Sequence, residues 1–436
     1  MEIVVNTAGI SILLGSFFVL LLLKLPIAFC LGFSAMITAW FLGIRLGVVT
    51  QRMVAGVDSF ALLAIPFFIL AGEIMGTGGI SDRLVKLADV LVGRVRGGLA
   101  GVNVLNSTFF ATIQGSAVAN VASTGPIELR MMRKAGYPDT FTVPITMASS
   151  VQSVITPPSH NMIIFATAVG GVSVGRLFIA GIIPGLVLAA ALLIQVFVVS
   201  YKRGYPRGNK YSFKEGLFTA LDCLPAFFTI VIILGGVFLG IVTANESAVL
   251  ACAYAFIICL TYYRGITFKD VWPMLKRVLR TLGMVLSLIA ASSAFGFMMT
   301  ILHIPTLVTN MLLGLTENRI LLLLLINLML LLLGSIMDMA PLILITAPIL
   351  LPVVTGPIIA MDPIHFGIVL LFNLGLGLMT PPVGTVLFVA SGISGQKIET
   401  LVKAMLPFYL VMLAVLMLFT FVPAISMTLP NLMFGN

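Results

Sequence analysis

Long apolar runs separated by short polar or basic connectors make up most of the chain. The runs approach the roughly 20 apolar residues that a membrane-spanning helix needs. Two of them are interrupted by a Thr-Pro-Pro tripeptide. The pattern predicts spans near residues 7–23, 26–43, 59–76, 140–172, 176–200, 222–242, 246–262, 282–302, 364–394 and from Thr400 onward.

Two further segments, 98–134 and 319–355, are each divided into two limbs by a Gly-Ser pair. The limbs are too short to cross a membrane, and those of the first segment also carry several Asn, Ser and Thr residues. We therefore predict two re-entrant hairpins with tips at Gly115-Ser116 and Gly334-Ser335. Amphipathic connectors are expected at 81–96 and 265–280.

The two tripeptides, Thr156-Pro157-Pro158 and Thr380-Pro381-Pro382, are expected to break the helices that contain them. Each proline pair removes two backbone N–H donors, and proline disfavours helix at the residue before it. Carbonyl groups freed in this way survive at membrane depth only where they line a cavity or hold an ion. The two breaks are therefore candidate binding sites.

The second half repeats the order of elements in the first, and the basic linker 201–210 separates the halves. The tip Ser116 precedes Pro157 by 41 positions, and the tip Ser335 precedes Pro381 by 46 positions. Because the hairpins do not cross, each half crosses five times, and this odd number makes the second half inverted relative to the first. The fold class is therefore an all-α polytopic membrane protein with two inverted repeats.

The distribution of basic residues supports this topology. With the N-terminus outside, all but four of the 24 Lys and Arg residues fall on the cytoplasmic side, as the positive-inside rule requires. The exceptions are Arg45, Arg52, Arg176 and Arg319. Both termini are then outside, which is the periplasmic side if the membrane is a bacterial inner membrane, and the net charge of +9 does not indicate a nucleic-acid partner.

Composition agrees with a membrane protein, since 60% of the residues are apolar and the mean hydropathy is +1.18. Only 9% are charged, whereas soluble domains have about 25%. The four cysteines lie singly in apolar runs without metal-ligand spacing, so we expect them only to pack. The sequence contains no nucleophile–base constellation, zinc spacing or phosphate-binding loop, and we expect no enzyme activity.

Asp338 is the sharpest single candidate, because a carboxylate between two apolar runs costs about 2.5–3.5 kcal/mol on the membrane-insertion scale. We favour a cation ligand over a protonated or capping carboxyl group. Glu246 follows Thr243 at a predicted helix start and is interpreted as a cap. Glu73 is left undecided, and His160 is either functional or only hydrogen-bonded. His303 and His365 are placed in outer loops without a role.

Taken together, the two tips, the two breaks and Thr243-Ala244-Asn245-Glu246 resemble the large membrane subunit of tripartite ATP-independent periplasmic (TRAP) transporters. The resemblance covers essentially the whole chain, and the order of its motifs is more specific than any one of them. It implies an elevator-type importer of carboxylated organic acids that is driven by sodium. A small four-helix membrane subunit and a periplasmic substrate-binding protein are the implied partners. Because the first span begins so near Met1, we expect the small subunit to be a separate chain.

The resemblance also implies a division of labour along the chain. In the first repeat, 1–205, residues 1–58 would be scaffold and 59–175 transport elements. In the second repeat, 206–436, residues 206–280 would be scaffold and 281–395 transport elements. At least two sodium ions are implied, with the ligands Gly115, Ser116, Asn120, Thr156 and Pro157, and Gly334, Ser335, Asp338, Thr380 and Pro381. The substrate would lie between them, near Ser153, Ser159, His160, Asn161, Gly384 and Thr385.

The substrate stays open between C4-dicarboxylates, sialic acid and other sugar acids, and we favour the sialic acid type because the chain looks closest to those relatives. An alternative within transport is a stand-alone sodium- or proton-coupled dicarboxylate transporter that needs no binding protein. An integral-membrane enzyme would show clustered His, Asp or Cys at one membrane face. A scaffold protein would have no reason to retain Asp338 and two matched helix breaks at membrane depth.

Overall fold

The structure is a computed structural model that describes residues 6–209 and 211–435, and within these ranges it is helical without any β-strand. The chain ends, whose predicted side of the membrane is periplasmic, lie outside the described residues, and so does Lys210 of the linker. Within the described ranges, six helices are long and apolar enough to cross a membrane. They are Phe60–Thr77, Val174–Arg203, Phe213–Phe238, Ala244–Thr261, Phe268–Ile301 and Ile398–Phe421.

The first half of the chain runs from the N-terminal helix to the linker. A 3₁₀ turn, Phe60–Leu63, leads into its fourth α-helix. Its helices are α1 (Thr7–Leu22), α2 (Ile27–Phe41), α3 (Leu46–Val57), α4 (Ala64–Thr77), α5 (Ile80–Val92), α6 (Gly98–Ala111), α7 (Ala117–Lys134), α8 (Asp139–Ser150), α9 (Gln152–Ile155), α10 (His160–Val169) and α11 (Val174–Arg203).

The second half begins after the linker. A π-helical segment, Val231–Gly235, joins its first two α-helices into one continuous rod. Its helices are α12 (Phe213–Ile230), α13 (Gly236–Phe238), α14 (Ala244–Thr261), α15 (Phe268–Ile301), α16 (Ile304–Leu315), α17 (Arg319–Gly334), α18 (Met339–Thr355), α19 (Pro363–Gly377), α20 (Thr385–Ser394), α21 (Ile398–Phe421) and α22 (Ala424–Phe434).

Local sequence signals set several of these helix starts. Capping boxes, in which a Ser or Thr and an acidic residue three positions later satisfy each other's backbone N–H groups, open α12, α14 and α15. At α14, Glu246 accepts a hydrogen bond of 2.8 Å from the backbone N–H of Thr243, which confirms its predicted role as a cap.

The arm predicted at 265–280 and the span predicted at 282–302 form one uninterrupted helix, α15. Gly283 lies at the junction of the two parts and the helix continues through it, so the change of pattern from amphipathic to apolar marks a change of surroundings and not a helix end. The expected spans 7–23 and 26–43 are the shorter helices α1 and α2. Helices α3, α16 and α22 were not predicted.

Two helical hairpins lie at the centre of the packing. The first consists of α6 and α7, and the second consists of α17 and α18, so both predicted hairpins have the limbs and tips expected. Helix α7 of the first hairpin packs against α20, while α18 of the second hairpin packs against α10. The hairpin of one half is thus held against the broken helix of the other.

A second group of helices packs around α15. It contacts α2, α3 and α4, and α4 in turn packs along α14. Large apolar side chains on several of the outer helices are exposed, including Phe18, Trp40, Phe218 and Trp272. Exposed aromatic and aliphatic side chains in this number match a surface that faces lipid.

Candidate functional site

A cavity of about 280 Å³ lies where the hairpins, the broken helices, α4 and α15 meet. It draws on residues from six separate stretches of the chain. Six of the predicted site residues line it, namely Gly115, Ser116, His160, Asn161, Asp338 and Thr385. The two hairpin tips and the two helix breaks, which the spacing of the sequence had paired, therefore meet at one place.

Four helix N-termini reach this cavity. The first turns of α7, α10 and α18 line it through Ala117, His160 and Met339, and α20 contributes its first residue, Thr385. The backbone N–H groups of a first helical turn have no partner within the helix, and each N-terminus carries a partial positive charge. An arrangement of four such ends favours a bound anion, a carboxylate above all.

The first tip is tied directly to the first break. The carbonyl oxygen of Gly115 accepts a hydrogen bond of 3.0 Å from Asn161 Nδ2 and a longer one of 3.4 Å from Ser159 Oγ. A Cβ atom at Gly115 would lie 2.6 Å from Ser159 Cα, so only glycine allows this approach. Ser116 Oγ caps α7 by accepting from the backbone N–H of Ala119.

Behind this tip lies a buried polar layer. Asn120 Nδ2 donates to Ser153 Oγ at 2.8 Å, and Asn120 Oδ1 accepts from the hydroxyl of Thr124 at 3.0 Å. Asn120 and Ser153 are fully buried and do not line the cavity. Ser153, predicted to contact the substrate, thus lies next to a predicted ion ligand instead.

Thr156 is the residue at which the first break departs from helical geometry. Its hydroxyl oxygen is buried and has no hydrogen-bond partner. Gly185 of α11 leaves the space for it, since a Cβ there would lie 2.6 Å from Thr156 Oγ1. An unsatisfied hydroxyl inside a membrane protein costs about 1–3 kcal/mol, which a bound cation would offset. Pro157 follows it within the buried turn.

The second tip is held by backbone contacts. The carbonyl oxygen of Ser335 accepts from the backbone N–H groups of Val383 at 2.9 Å and Gly384 at 3.2 Å. A Cβ at Gly377 would lie 2.5 Å from backbone atoms of Gly334, so α17 and α19 meet backbone to backbone. Unlike the first break, the second is exposed at Pro381.

Asp338 occupies the N-cap position of α18, yet its side chain makes no capping hydrogen bond. Its side chain is only partly accessible, lines the cavity, and forms no ion pair among residues 6–209 and 211–435. The N-terminus of α18 favours the charged form of such a carboxylate. The neighbouring hydroxyl of Thr385, buried in the same cavity, has no hydrogen-bond partner either.

The second break differs from the first in its free groups. The hydroxyl of Thr380 donates to the carbonyl oxygen of Leu376 at 2.9 Å, in the last turn of the preceding helix α19. The carbonyl oxygen of Met379, the residue before this break, accepts a hydrogen bond from the hydroxyl of Tyr409. Both Thr-Pro-Pro breaks contain a cis peptide bond between their prolines.

Glu73, which the sequence left undecided, lines the cavity from α4 and forms an ion pair with Arg277 of α15. His365 is a correction: it lies buried within α19, not in a loop, and Ser426 Oγ is 2.6 Å from its Nδ1. The apolar residues that follow His365 belong to the same helix, so His365 lies in the first turn of α19 and is buried with them. His303 is exposed at the start of α16. The four cysteines are free and buried, as expected.

Sequence reasoning missed Glu128, a fully buried carboxyl group in α7. Three basic residues follow it within α7, at Arg130, Arg133 and Lys134, so the local sequence is typical of a solvated helix end. Glu128 lies four residues after Thr124 and eight after Asn120, so all three share one face of α7. This spacing is the one feature of the sequence that could have indicated that Glu128 is buried.

Comparison with known proteins decides the family. The family model of the DctM component of tripartite ATP-independent periplasmic transporters matches residues 14–425. The chain belongs to this family. TRAP large permeases are integral membrane transport proteins and not enzymes, and the family implies a small membrane subunit and a periplasmic binding protein as partners.

Three TRAP relatives with named solutes cover almost the whole chain. The isethionate permease of Oleidesulfovibrio alaskensis is 39% identical over 96% of this chain and 66% of its own fused DctMQ length. The 2,3-diketo-L-gulonate large permease of Escherichia coli is 36% identical over 95% of this chain and 97% of its own. The sialic acid large permease of Vibrio cholerae is 34% identical over 95% and 97%.

These identities do not set the sialic acid relative apart from the others, so the expected likeness to that type selects no solute. Among solved structures, the YdaH transporter of Alcanivorax borkumensis shares the fold with a TM-score of 0.61. It covers 86% of this chain and 88% of its own, at 15% identity. The fold is thus that of a membrane transporter.

Proposed function

We propose that this TRAP large permease couples the inward movement of sodium to the import of a carboxylated organic solute. The observation that carries the proposal is the cavity that four helix N-termini line together with Asp338. Helix N-termini favour an anionic solute, and an unpaired carboxylate with oxygen donors favours a small cation. One cavity, where the two broken helices meet, can therefore bind both the anionic solute and the sodium ion.

Two sodium sites are proposed, one at each tip. The first would use Ser116, Asn120 and the unsatisfied hydroxyl of Thr156, which are neutral oxygen donors. The second would use Asp338, the carbonyl of Ser335 and oxygens of the second break. Hard oxygen ligands of this kind suit a small cation. Because only the second site carries a formal charge, it should bind sodium more tightly than the first.

The proposed solute carries at least one carboxylate. The cavity is about 280 Å³, close to the lower end of small-molecule pockets at about 300–1,000 Å³. The relatives are named for isethionate, 2,3-diketo-L-gulonate and sialic acid, all of which are small organic anions. C4-dicarboxylates and sialic acid both remain within the class.

An elevator movement of inverted repeats is the proposed mechanism. The contacts of α7 with α20 and of α10 with α18 join the hairpins and breaks of both halves into one block, which supports its movement as a unit. The proposed moving elements are residues 59–175 and 281–395, with 1–58 and 206–280 as scaffold. Inner-membrane location with periplasmic termini, and a separate four-helix small subunit on the scaffold, complete the proposal.

Reconstituted transport tests the proposal. The chain is placed in proteoliposomes with its small subunit, and the purified periplasmic binding protein is loaded with a labelled organic acid outside. Uptake is expected only when an inward sodium gradient and the binding protein are both present. Equal uptake without sodium would remove the coupling, and uptake without the binding protein would restore the stand-alone alternative. A binding screen on the soluble partner identifies the solute.

A further inference from the structure

The first hairpin holds a carboxyl group that the transport cavity does not use. Glu128, on α7, is fully buried against the neighbouring helices, and it does not line the cavity. No Lys, Arg or His side chain lies within 4.0 Å of it among the described parts of the chain. A charge in such surroundings is strongly disfavoured, because neither water nor a counter-ion compensates for its lost hydration.

The hydrogen bonds around Glu128 are short of donors. Asn106 Nδ2 donates to Glu128 Oε1 at 2.6 Å, while Glu128 Oε2 and Asn106 Oδ1 are both buried without any partner. An ionised carboxylate accepts hydrogen bonds and cannot donate one. Two acceptor oxygens in this cluster therefore lack a donor, and a proton on the carboxyl group would supply one.

Neighbouring hydroxyl groups cannot supply that donor. Thr124 and Thr146 lie beside the carboxyl group, but each hydroxyl has another acceptor: Thr124 donates to Asn120 Oδ1 at 3.0 Å, and Thr146 donates to the carbonyl oxygen of Thr142 at 3.2 Å. Thr146 also accepts from Asn103 Nδ2. Glu128 Oε2 thus has no hydrogen-bond partner in this cluster, and a protonated acid supplies the missing O–H.

No other charged group compensates from the packed elements. Helices α6, α8, α9 and α20 contact α7. Of these, α6, α9 and α20 carry no ionisable side chain, and α8 carries only Asp139, which is paired with Arg133 at the far end. On α7 itself, the nearest charges are Arg130, Arg133 and Lys134 towards the helix end.

We propose that Glu128 is a proton-binding site whose carboxyl group stays protonated in the folded protein at neutral pH. Its O–H completes the donor-poor cluster of Asn106, Thr124 and Thr146. Through Thr124, which bonds to Asn120, the proton stabilises the buried layer behind the first tip. Glu128 is not itself one of the proposed sodium ligands, although Asn120 in this layer is, so the tests below measure protonation and stability without relying on sodium coupling.

Infrared spectroscopy of the purified full chain tests the assignment. A protonated carboxylic acid absorbs in a carbonyl band that carboxylates lack, and this band is recorded for wild type and for Glu128→Gln. We expect the variant to lose a band that the matched control Asp338→Asn retains. Glu128→Met provides the same test if the glutamine variant fails to fold. Identical acid bands in wild type and a folded Glu128 variant would overturn the proposal.

Stability provides a second readout. We expect Glu128→Gln and wild type to unfold at similar temperatures at about pH 3.5, because the amide then replaces an acid that is mostly neutral in both the folded and the unfolded state. Folding favours the protonated form, so wild type should lose stability relative to this variant as the pH rises above about 4.3, the ordinary pKa of a glutamate, and should be the less stable of the two at neutral pH. Loss of sodium-induced stabilisation in Glu128→Gln would instead show that the carboxyl group binds a cation, and would also overturn the proposal.

Discussion

The side-chain amide of Asn161 donates a hydrogen bond of 3.0 Å to the carbonyl oxygen of Gly115. Asn161 lies in the first turn of α10, and Gly115 lies at the tip of the first hairpin. The first break and the first tip are therefore joined by a direct hydrogen bond and should move together. The second tip is held in the same way at the carbonyl of Ser335, but by backbone donors.

Gly115→Ala should impair transport strongly. The added Cβ would lie 2.6 Å from Ser159 Cα and 2.8 Å from the backbone nitrogen of His160, so the tip must move away from the break. Overpacking of this kind costs about 1–3 kcal/mol. Gly283→Ala in α15 is the control, because a Cβ there meets nothing within 4 Å. Equal uptake rates for the two variants would show that this approach of tip and break is dispensable.

Asp338→Asn should lower sodium affinity and the steepness of sodium dependence more than it lowers stability. Its carboxylate is the one acidic group at the second tip and has no cationic partner among the described residues. Thermal unfolding with increasing sodium measures this without any transport. Glu246→Gln is the control, since Glu246 caps α14; it should lose stability but keep the sodium response. An unchanged sodium response in Asp338→Asn would remove Asp338 from the ion site.

Thr156→Val should reduce sodium-dependent uptake at least tenfold, which corresponds to about 1.4 kcal/mol. The hydroxyl it removes has no partner within the protein, so folding should be little affected, whereas Thr156→Ser should retain activity. Thr380→Val should act more weakly on sodium binding, because its hydroxyl is already satisfied by Leu376. Sodium titration of uptake compares the three variants, and a greater loss at Thr380 would reverse the assignment.

Arg133 and Asp139 form an ion pair of 2.7 Å that also joins the two halves of the chain. Arg133 Nη2 donates to the carbonyl of Ser394, and Gln396 Nε2 donates to Asp139. The Arg133 guanidinium holds the pKa of Asp139 below its usual value. The pair therefore stabilises the fold above about pH 4, and this contribution is lost as the pH falls through the lowered pKa.

Because the Arg133 side chain is 40% exposed, the expected effect of Asp139→Asn is at most about 1 kcal/mol. Unfolding midpoints should differ between wild type and variant at pH 7 and converge as the pH falls below the lowered pKa of Asp139. A double-mutant cycle with Arg133→Gln isolates the pair. A difference that persists at the acidic end would point to the hydrogen bond from Gln396 instead of the ion pair.

Much of the fold followed from the sequence. Both hairpins, their Gly-Ser tips and both breaks lie where the apolar pattern and the proline pairs placed them. The length of an apolar run and the missing N–H donors of proline can both be read from a short segment of sequence, without knowing what packs against it. The same local logic missed α3, α16 and α22, which are short helices of 11 or 12 residues. It also placed His365 in a loop, since a polar residue near a span end resembles a connector until packing buries it.

What the sequence by itself determined is where the chain is apolar, where its helices must break, and which carboxylate stands at a tip. Tertiary structure alone decided that Asn161 reaches Gly115, that four helix N-termini share a cavity with Asp338, and that Thr156 is left without a partner while Thr380 is not. It also decided that Glu128 is buried. Breaks and spans follow from each segment's own composition, whereas hydrogen-bond partners and burial depend on which distant segments pack together.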